Sequence, residues 1–301
     1  MIAIDLGSNS CRILAYDCHT HQKLNAYEAL VKTADGLYAT KRINDGALQR
    51  IIDALHSANA IMDFTSHDVK AVTTEAMRQA HNRDEIIAAI DHATGVRFEV
   101  IDAKTEAELT LLAVNHRLKT MGLKANNFVL VDIGGGSTEV TFCKADKHFS
   151  KSFGIGIVTL AQQCESLEMV QDSLNNLLDP VREYVNAIYE MQGKPDFLVS
   201  TAGTPTTLAG YLEGMNYHTY DASKINGYTL SREGVAKGLK DLMAMDEAQR
   251  ALYVGVGRES LIATGIVIIQ TFYELLGFES SIVIDDSLRE GVALDYCNNR
   301  S

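Results

Sequence analysis

The chain has 301 residues, which corresponds to about two domains of roughly 150 residues each. Hydrophobic residues make up 46% and charged residues 22%, which excludes a mainly disordered, collagen-like or disulfide-scaffold chain. The 39 acidic and 27 basic residues give a formal net charge of −12, which disfavours nonspecific binding to nucleic acids or to membrane surfaces. An anionic small ligand is compatible with this charge where backbone amides, local basic residues or a bound cation offset it.

Cysteine usage and the N-terminus give expectations about the cellular compartment. The five cysteines are odd in number, scattered and without a CxxC pair, so we expect reduced thiols in a cytoplasmic protein. Met1 leads directly into an apolar strand, without the basic region or cleavage site of an export signal. The apolar stretch from Leu261 to Phe278 is interrupted by polar residues, which predicts a buried helix and not a membrane span.

The first half of the chain predicts alternating strands and helices. Asn44 or Asp45 caps the first long helix, a helical turn carries Arg78, and Thr105 is predicted to cap the helix that follows. In chain order, the predicted elements are strands at 2–5 and 12–16, a helix at 45–64, a strand at 69–73, a helix at 83–93, a strand at 97–101 and a helix at 105–119.

The second half predicts another α/β unit that opens with two strands around a glycine-rich turn. The final helix is predicted to return to the first domain. In chain order, the predicted strands are at 128–132, 139–143, 148–153, 196–200 and 281–284, and the predicted helices are at 158–164, 170–190, 231–243, 259–276 and 287–296.

An internal repeat is the most informative feature of the sequence. An apolar strand ending in Asp5 is followed by Leu-Gly-Ser-Asn-Ser, and an apolar strand ending in Asp132 is followed by Ile-Gly-Gly-Gly-Ser. The two aspartates lie 127 positions apart, and a second strand follows each turn. This repeat predicts two related α/β domains with a cleft between them. Domain I is predicted to comprise residues 1–118 and 287–301, and domain II residues 119–286.

Each turn combines groups that suit phosphate binding. Consecutive amides in a Gly/Ser turn form an anion-binding nest, and an aspartate at the strand end can hold a divalent metal or its waters. Two facing units would bind a phosphate chain and its Mg²⁺ from both sides, whereas the alternative is two ordinary glycine-rich hairpins. No Walker-A motif is present, and the GxG runs at Gly154 and Gly255 lack a third glycine, so they are predicted to be turns or helix starts.

The two turns resemble the phosphate motifs of the exopolyphosphatase / guanosine pentaphosphate phosphohydrolase (Ppx/GppA) family of the actin-like ATPase superfamily. The matching segments are Ala3-Ile-Asp-Leu-Gly-Ser-Asn-Ser10 and Val131-Asp-Ile-Gly-Gly-Gly-Ser-Thr-Glu139. Residues 74–80 resemble the family segment with a phosphate-facing arginine, residues 202–208 its third glycine-containing loop, and Leu288-Arg-Glu-Gly291 its closing motif. The fold that this resemblance implies is α/β: a duplicated, actin-like (ribonuclease H-like) two-domain fold.

The resemblance implies Mg²⁺-dependent release of terminal orthophosphate from inorganic polyphosphate or guanosine pentaphosphate. Glu106 aligns with the catalytic glutamate that would take a proton from the attacking water; the alternative is a structural role in the first turn of its helix. Glu139 is expected to complete the metal's water shell or to act as a second base. The expected metal-binding residues are Asp5, Asp132 and Glu139, and the expected phosphate-binding residues are Gly7, Ser8, Asn9, Ser10, Arg78, Gly134, Gly135, Gly136, Ser137 and Thr138.

Departures from the family pattern leave alternatives open. Asp102-Ala103 stands where the family has Ser-Gly, and Glu108 stands where a basic residue is common, which bears on substrate choice and rate. Lys32 and Arg12 are weaker phosphate-binding candidates, and residues 18–21 are predicted to form a solvated hairpin end. The alternative functions are a non-catalytic sensor of an alarmone or polyphosphate, and another phosphotransferase or ATPase of the superfamily. The resemblance also implies a homodimer, and it implies a short-form enzyme without the C-terminal helical domain of long members, which favours short polyphosphates or nucleotides.

Overall fold

The structure is a computed structural model that describes residues 1–123 and 125–300. It divides into two compact units: unit 1 comprises Met1–Ala113 and Asp286–Ser301, and unit 2 comprises Val114–Asp285. None of the described helices is long and apolar enough to cross a membrane. The elements in chain order are β1 (Ile2–Leu6), β2 (Ser10–Asp17), β3 (Gln22–Leu30), α1 (Leu37–Thr40), α2 (Asp45–Met62), β4 (Val69–Thr73), α3 (Glu75–Gln79), α4 (Arg83–Thr94), β5 (Phe98–Val100), α5 (Ala103–Thr120), β6 (Asn127–Ile133), β7 (Thr138–Lys144), β8 (Lys147–Phe153), α6 (Ile157–Gln163), α7 (Leu167–Leu177), α8 (Asp179–Gln192), β9 (Phe197–Thr201), α9 (Gly203–Leu212), α10 (Ala222–Ile225), β10 (Tyr228–Ser231), α11 (Arg232–Ala244), α12 (Glu247–Val254), α13 (Ile262–Leu276), β11 (Ser280–Val283) and α14 (Leu288–Asn298).

Unit 1 is built on a five-stranded mixed sheet with the order β3-β2-β1-β4-β5. The central strand β1 pairs antiparallel with β2 and parallel with β4. All five residues of β1 are buried, as expected for an apolar strand covered on both faces. Helix α14 packs on this sheet, where Leu288, Val292 and Leu294 join the core residues of β1, β2 and β4.

Unit 2 repeats the same strand arrangement in a six-stranded sheet. Its order is β10-β11-β9-β6-β7-β8, so the run β8-β7-β6-β9-β11 corresponds to β3-β2-β1-β4-β5 of unit 1. The registers also agree, because Asp5 lies opposite Arg12 and Asp132 lies opposite Glu139. The prediction of a duplicated α/β fold from the repeat is therefore confirmed.

The core of unit 2 surrounds helix α13, whose apolar residues are buried on every side of the helix. A helix with apolar residues on every side is stable in water only when it is buried in the core. The prediction of a buried helix in this stretch is therefore confirmed. The helix begins at Ile262, three residues later than predicted.

Three predictions about helices and their ends need correction. The predicted helix at 170–190 is two helices, α7 and α8, which are separated at Leu178 because Pro180 suits the first turn of a new helix and not a helix interior. Thr105 does not cap α5; its amide donates to the carboxylate of Asp102 at 2.7 Å, and the helix begins at Ala103. Residues 203–208, predicted to be part of a glycine-containing loop, form the first turns of α9.

The prediction of reduced thiols is wrong for two of the five cysteines. Cys18 and Cys297 form a disulfide, with their Cα atoms 5.2 Å apart. Cys11, Cys143 and Cys164 are free. The bonded pair is separated by 279 positions, so the spacing of cysteines along the sequence carried no signal of it.

Candidate functional site

The two glycine-rich turns are closed by the same hydrogen bond. In unit 1 the amide of Gly7 donates to the carbonyl of Ser10 at 2.9 Å. In unit 2 the amide of Gly134 donates to the carbonyl of Ser137, also at 2.9 Å. Each turn directly follows the strand that carries its aspartate, so the repeat in the sequence is a repeat in turn geometry.

A following segment holds the carbonyls of the first turn. The carbonyl of Ser8 accepts from the amide of Ala34 at 2.9 Å, and that of Asn9 accepts from the amides of Val31 and Lys32 at 3.0 and 2.9 Å. The described peptides are all trans, so the C=O and N–H of each peptide unit point in opposite directions. The amides of Asn9 and Ser10 therefore face away from the segment 31–34.

Helix α6 holds the carbonyls of the second turn in the same way. The amide of Ile157 donates to Gly134 at 3.1 Å, and the amides of Val158 and Thr159 donate to Gly135 at 2.8 and 3.3 Å. The amides that follow these carbonyls, those of Gly135 and Gly136, face away from α6 by the same peptide geometry. Both turns thus present consecutive amides on the side opposite to their support, which is the arrangement of an anion-binding nest.

Gly156 makes this support possible, and the sequence reasoning gave it no functional role. A Cβ atom at Gly156 would lie 2.3 Å from the carbonyl carbon of Gly136 and 2.4 Å from the carbonyl oxygen of Gly135. Only glycine lets the start of α6 approach the turn this closely. The signal was the Gly154-Ile155-Gly156 run, which was predicted to be a turn or a helix start, and Gly156 is indeed the N-cap of α6.

The two candidate metal-binding residues of unit 2 lie on neighbouring strands. Asp132 on β6 and Glu139 on β7 are directly opposite each other, so their Cβ atoms are within about 5.5 Å. Glu139 is buried, and its Oε1 accepts hydrogen bonds from the hydroxyls of Ser137 at 2.8 Å and Ser152 at 2.6 Å. These two hydrogen bonds fix the position of the Glu139 carboxylate. The same contact orients the hydroxyl of Ser137, which was predicted to bind phosphate.

The carboxylate of Asp5 is the corresponding acid in unit 1. It is 9% exposed, and within residues 1–123 and 125–300 it accepts no hydrogen bond and forms no ion pair. Burial raises the pKa of Asp5 to about 7; the charge of Arg12 opposes this rise, and that of Glu106 adds to it. A buried carboxylate with so little compensation is suited to binding a cation.

Glu106 and Arg78 lie together in unit 1. Glu106 is in the first turn of α5, and its Oε2 is 2.8 Å from Nη1 of Arg78. The same nitrogen donates to the carbonyl of Ile101 at 2.9 Å, and Nε donates to Glu75 at 2.9 Å. The sequence predicted a catalytic role for Glu106 and a phosphate contact for Arg78, but it did not pair the two.

The remaining candidates occupy varied positions. Arg12 pairs with Glu28 on the neighbouring strand, with 3.4 Å between Nε and Oε1. Lys32 is exposed and has a left-handed backbone, with φ of 48°. Thr138 is buried and donates to the carbonyl of Ile155 at 2.6 Å, which is a structural contact. Residues 18–21 form the predicted hairpin end. The described part of the chain contains no group of three or more His, Cys, Asp or Glu residues arranged to hold a metal ion.

Comparison with known proteins identifies the family and the fold of the chain. Exopolyphosphatase 2 of Mycobacterium tuberculosis is 28% identical over 97% of both chains, and Exopolyphosphatase 1 of the same species is 25% identical over 97% of this chain and 86% of its own. The Ppx/GppA family member of Aquifex aeolicus superimposes with a TM-score of 0.74 at 26% identity, over 100% of this chain and 98% of that one. An exopolyphosphatase from Cytophaga hutchinsonii shares the fold, with a TM-score of 0.86 at 24% identity over 98% and 97% of the two chains. Residues 14–300 match the model of the Ppx/GppA phosphatase family, and the chain belongs to that family.

Proposed function

We propose that this protein is an exopolyphosphatase that hydrolyses the terminal phosphoanhydride bond of inorganic polyphosphate with Mg²⁺ and releases orthophosphate. Membership of a phosphatase family supports the reaction class, and two relatives are named exopolyphosphatases. The observation that carries the proposal is the repeated turn. Both units hold the carbonyls of the turn from one side, so that consecutive amides on the other side can donate to phosphate oxygens.

Glu106 is the proposed general base. The guanidinium of Arg78, 2.8 Å away, orients its carboxylate and stabilises the negative charge that a base requires. Glu106 would take a proton from a water molecule, whose oxygen attacks the terminal phosphorus while the bridging oxygen leaves with the shortened chain. In this mechanism Arg78 is a positioning residue, and its contact with phosphate stays a prediction.

The acidic residues suit a hard divalent cation. The uncompensated burial of Asp5 favours a bound cation, and Asp132 and Glu139 offer further carboxylate oxygens in unit 2. In phosphate sites Mg²⁺ commonly takes one or two carboxylates and completes its shell with water and phosphate oxygens. Mg²⁺ would supply charge neutralisation of the phosphate oxygens during hydrolysis.

The test compares phosphate release by wild type, Glu106→Gln and the control Glu108→Gln. The substrates are short polyphosphate, long polyphosphate, guanosine pentaphosphate and ATP, each with and without Mg²⁺. Glu106→Gln is expected to lower kcat by about 10²- to 10⁴-fold, the usual contribution of a general base, while polyphosphate binding persists. Glu108→Gln removes a carboxylate two positions away whose side chain is 43% exposed; although position 108 bears on substrate choice and rate, this variant is expected to change kcat by no more than a few-fold, far less than Glu106→Gln.

The other outcomes identify the alternatives. Tight polyphosphate binding without turnover by the wild type would indicate a sensor, and ATP consumption that depends on an added acceptor would indicate a kinase. Faster turnover of guanosine pentaphosphate than of polyphosphate would assign the nucleotide as substrate. A homodimer and a cytoplasmic location stay predictions, which size measurement in solution and cell fractionation test.

A further inference from the structure

Helix α14 is attached at both ends to the β2–β3 hairpin. At its N-terminal end, Oε1 of Glu290 is 2.9 Å from Nζ of Lys23 on β3, and Lys23 also pairs with Asp286. At its C-terminal end, Cys297 is bonded to Cys18, which lies just after β2. The ion pairs hold the first turn of α14, and the disulfide holds its last turn.

The position of α14 is transmitted to α5 by direct backbone contact. A Cβ atom at Gly291 would lie 2.0 Å from the carbonyl oxygen of Leu109 and 2.5 Å from its carbonyl carbon. Leu109 lies one turn after Glu106 on α5. Because packed helices in such close contact move together, a shift of α14 is expected to move the turn that carries Glu106.

The two cysteines of the disulfide differ in exposure. Cys18 is partly exposed at the hairpin end, whereas Cys297 is 2% exposed. Burial raises the pKa of Cys11 and raises the pKa of Cys143 to about 12, so these two thiols are not available as thiolates. Because Cys18 is more exposed than Cys297, it is the side of the disulfide that an external thiolate reaches more readily.

We propose that Cys18 and Cys297 form a reversible thiol–disulfide site whose reaction partner is a dithiol, and that reduction loosens the C-terminal end of α14. A thiolate of the dithiol attacks Sγ of Cys18, the Sγ–Sγ bond breaks, and Cys297 leaves as a thiolate that takes up a proton. The second thiol of the partner resolves the mixed disulfide, so that the partner is oxidised to its disulfide and both cysteines are reduced by two electrons in total. The cross-link joins residues 279 positions apart, and its loss removes the covalent restraint on the last turn of α14 and leaves non-covalent contacts, among them the ion pair of Arg300 with Asp68 just beyond the helix.

The effect on catalysis rests on the proposed function, whereas the effect on α14 does not. The experiment therefore uses the full chain, oxidised with an oxidised dithiol or reduced with dithiothreitol, and measures three quantities. Alkylation and mass measurement under denaturing conditions count free thiols, with three expected after oxidation and five after reduction. Hydrogen exchange of residues 288–298 is expected to accelerate about tenfold or more on reduction, as local opening becomes easier. Turnover of polyphosphate is expected to fall several-fold.

Three variants complete the test. Cys297→Ser is expected to show the fast exchange of the reduced protein in every condition, and Cys18→Ser serves if that variant fails to fold. Cys164→Ser is the matched control, because Cys164 is a partly exposed free cysteine, and this variant is expected to keep the redox response. Five free thiols after oxidation, or equal exchange of 288–298 in the two states, would overturn the proposal. Absence of turnover in both states would instead contradict the proposed function, with the thiol count and exchange still deciding the redox site.

Discussion

Substitution of Gly156 by alanine tests whether the close contact between α6 and the second turn matters. The shortest distance from the added Cβ is 2.3 Å, to the carbonyl carbon of Gly136, whereas ordinary contact begins at 3.4 Å. The turn or the helix therefore has to move by about 1 Å. The three nearest atoms belong to the backbone of Gly135 and Gly136, so moving a flexible side chain cannot relieve the overlap.

The expected cost follows from that displacement. Overpacking of this kind destabilises a protein by about 1–3 kcal/mol, which lowers the Tm by roughly 2–4 °C per kcal/mol in a unit of this size. A displacement of about 1 Å at a site that orients a substrate can lower turnover by about 10²-fold. We expect Gly156→Ala to fold with a reduced Tm and to lose most of its phosphate release.

Gly154→Ala is the matched control for this substitution. A Cβ atom at Gly154 meets no heavy atom within 4 Å, and its φ is not in the left-handed region. Thermal unfolding and phosphate release from polyphosphate are measured for both variants and the wild type. Wild-type Tm and kcat in Gly156→Ala, or equal losses in both variants, would refute the reasoning.

Two further predictions concern unit 1. Burial opposes ionisation of Glu290, but the charges of Arg289 and Lys23 lower its pKa from 4.5 to about 2. The ionised carboxylate therefore stabilises the fold above pH 4.5. Its contribution to the free energy of unfolding, about 3 kcal/mol, is lost as the pH falls toward 2. In denaturant unfolding at pH 2–6, the free energy of unfolding of Glu290→Gln should fall less steeply with decreasing pH than that of the wild type. The same pH dependence in both proteins would contradict this assignment. The hydroxyl of Thr110 is buried without a partner in the described chain, so Thr110→Val should leave the free energy of unfolding unchanged or raise it by about 1 kcal/mol. Thr73→Val loses a 2.8 Å hydrogen bond to a β1 carbonyl and should lower the free energy of unfolding by about 1–2 kcal/mol. If urea unfolding showed Thr110→Val to be less stable than Thr73→Val, this argument would be wrong.

Local features of the sequence were sufficient to predict the duplicated fold. The run of apolar residues before Asp5 and Asp132 specifies a buried strand, and the glycine and serine residues that follow specify a tight turn. These signals involve neighbouring residues, so they do not depend on the rest of the molecule. Helix ends were predicted less accurately: Thr105 was predicted to cap α5, whereas its amide donates to the carboxylate of Asp102 and the helix begins at Ala103.

The sequence by itself thus determined the strand–aspartate–turn repeat, the buried helix α13 and the position of Glu106 in the first turn of α5. Only the tertiary structure decided that Arg78 pairs with Glu106 across 28 positions, that Gly156 supports the second turn, and that Cys18 and Cys297 are bonded across 279 positions. The physical reason is that strands and turns follow from the conformational preferences of adjacent residues. Contacts between distant residues depend instead on strand register and helix packing, which no local pattern encodes.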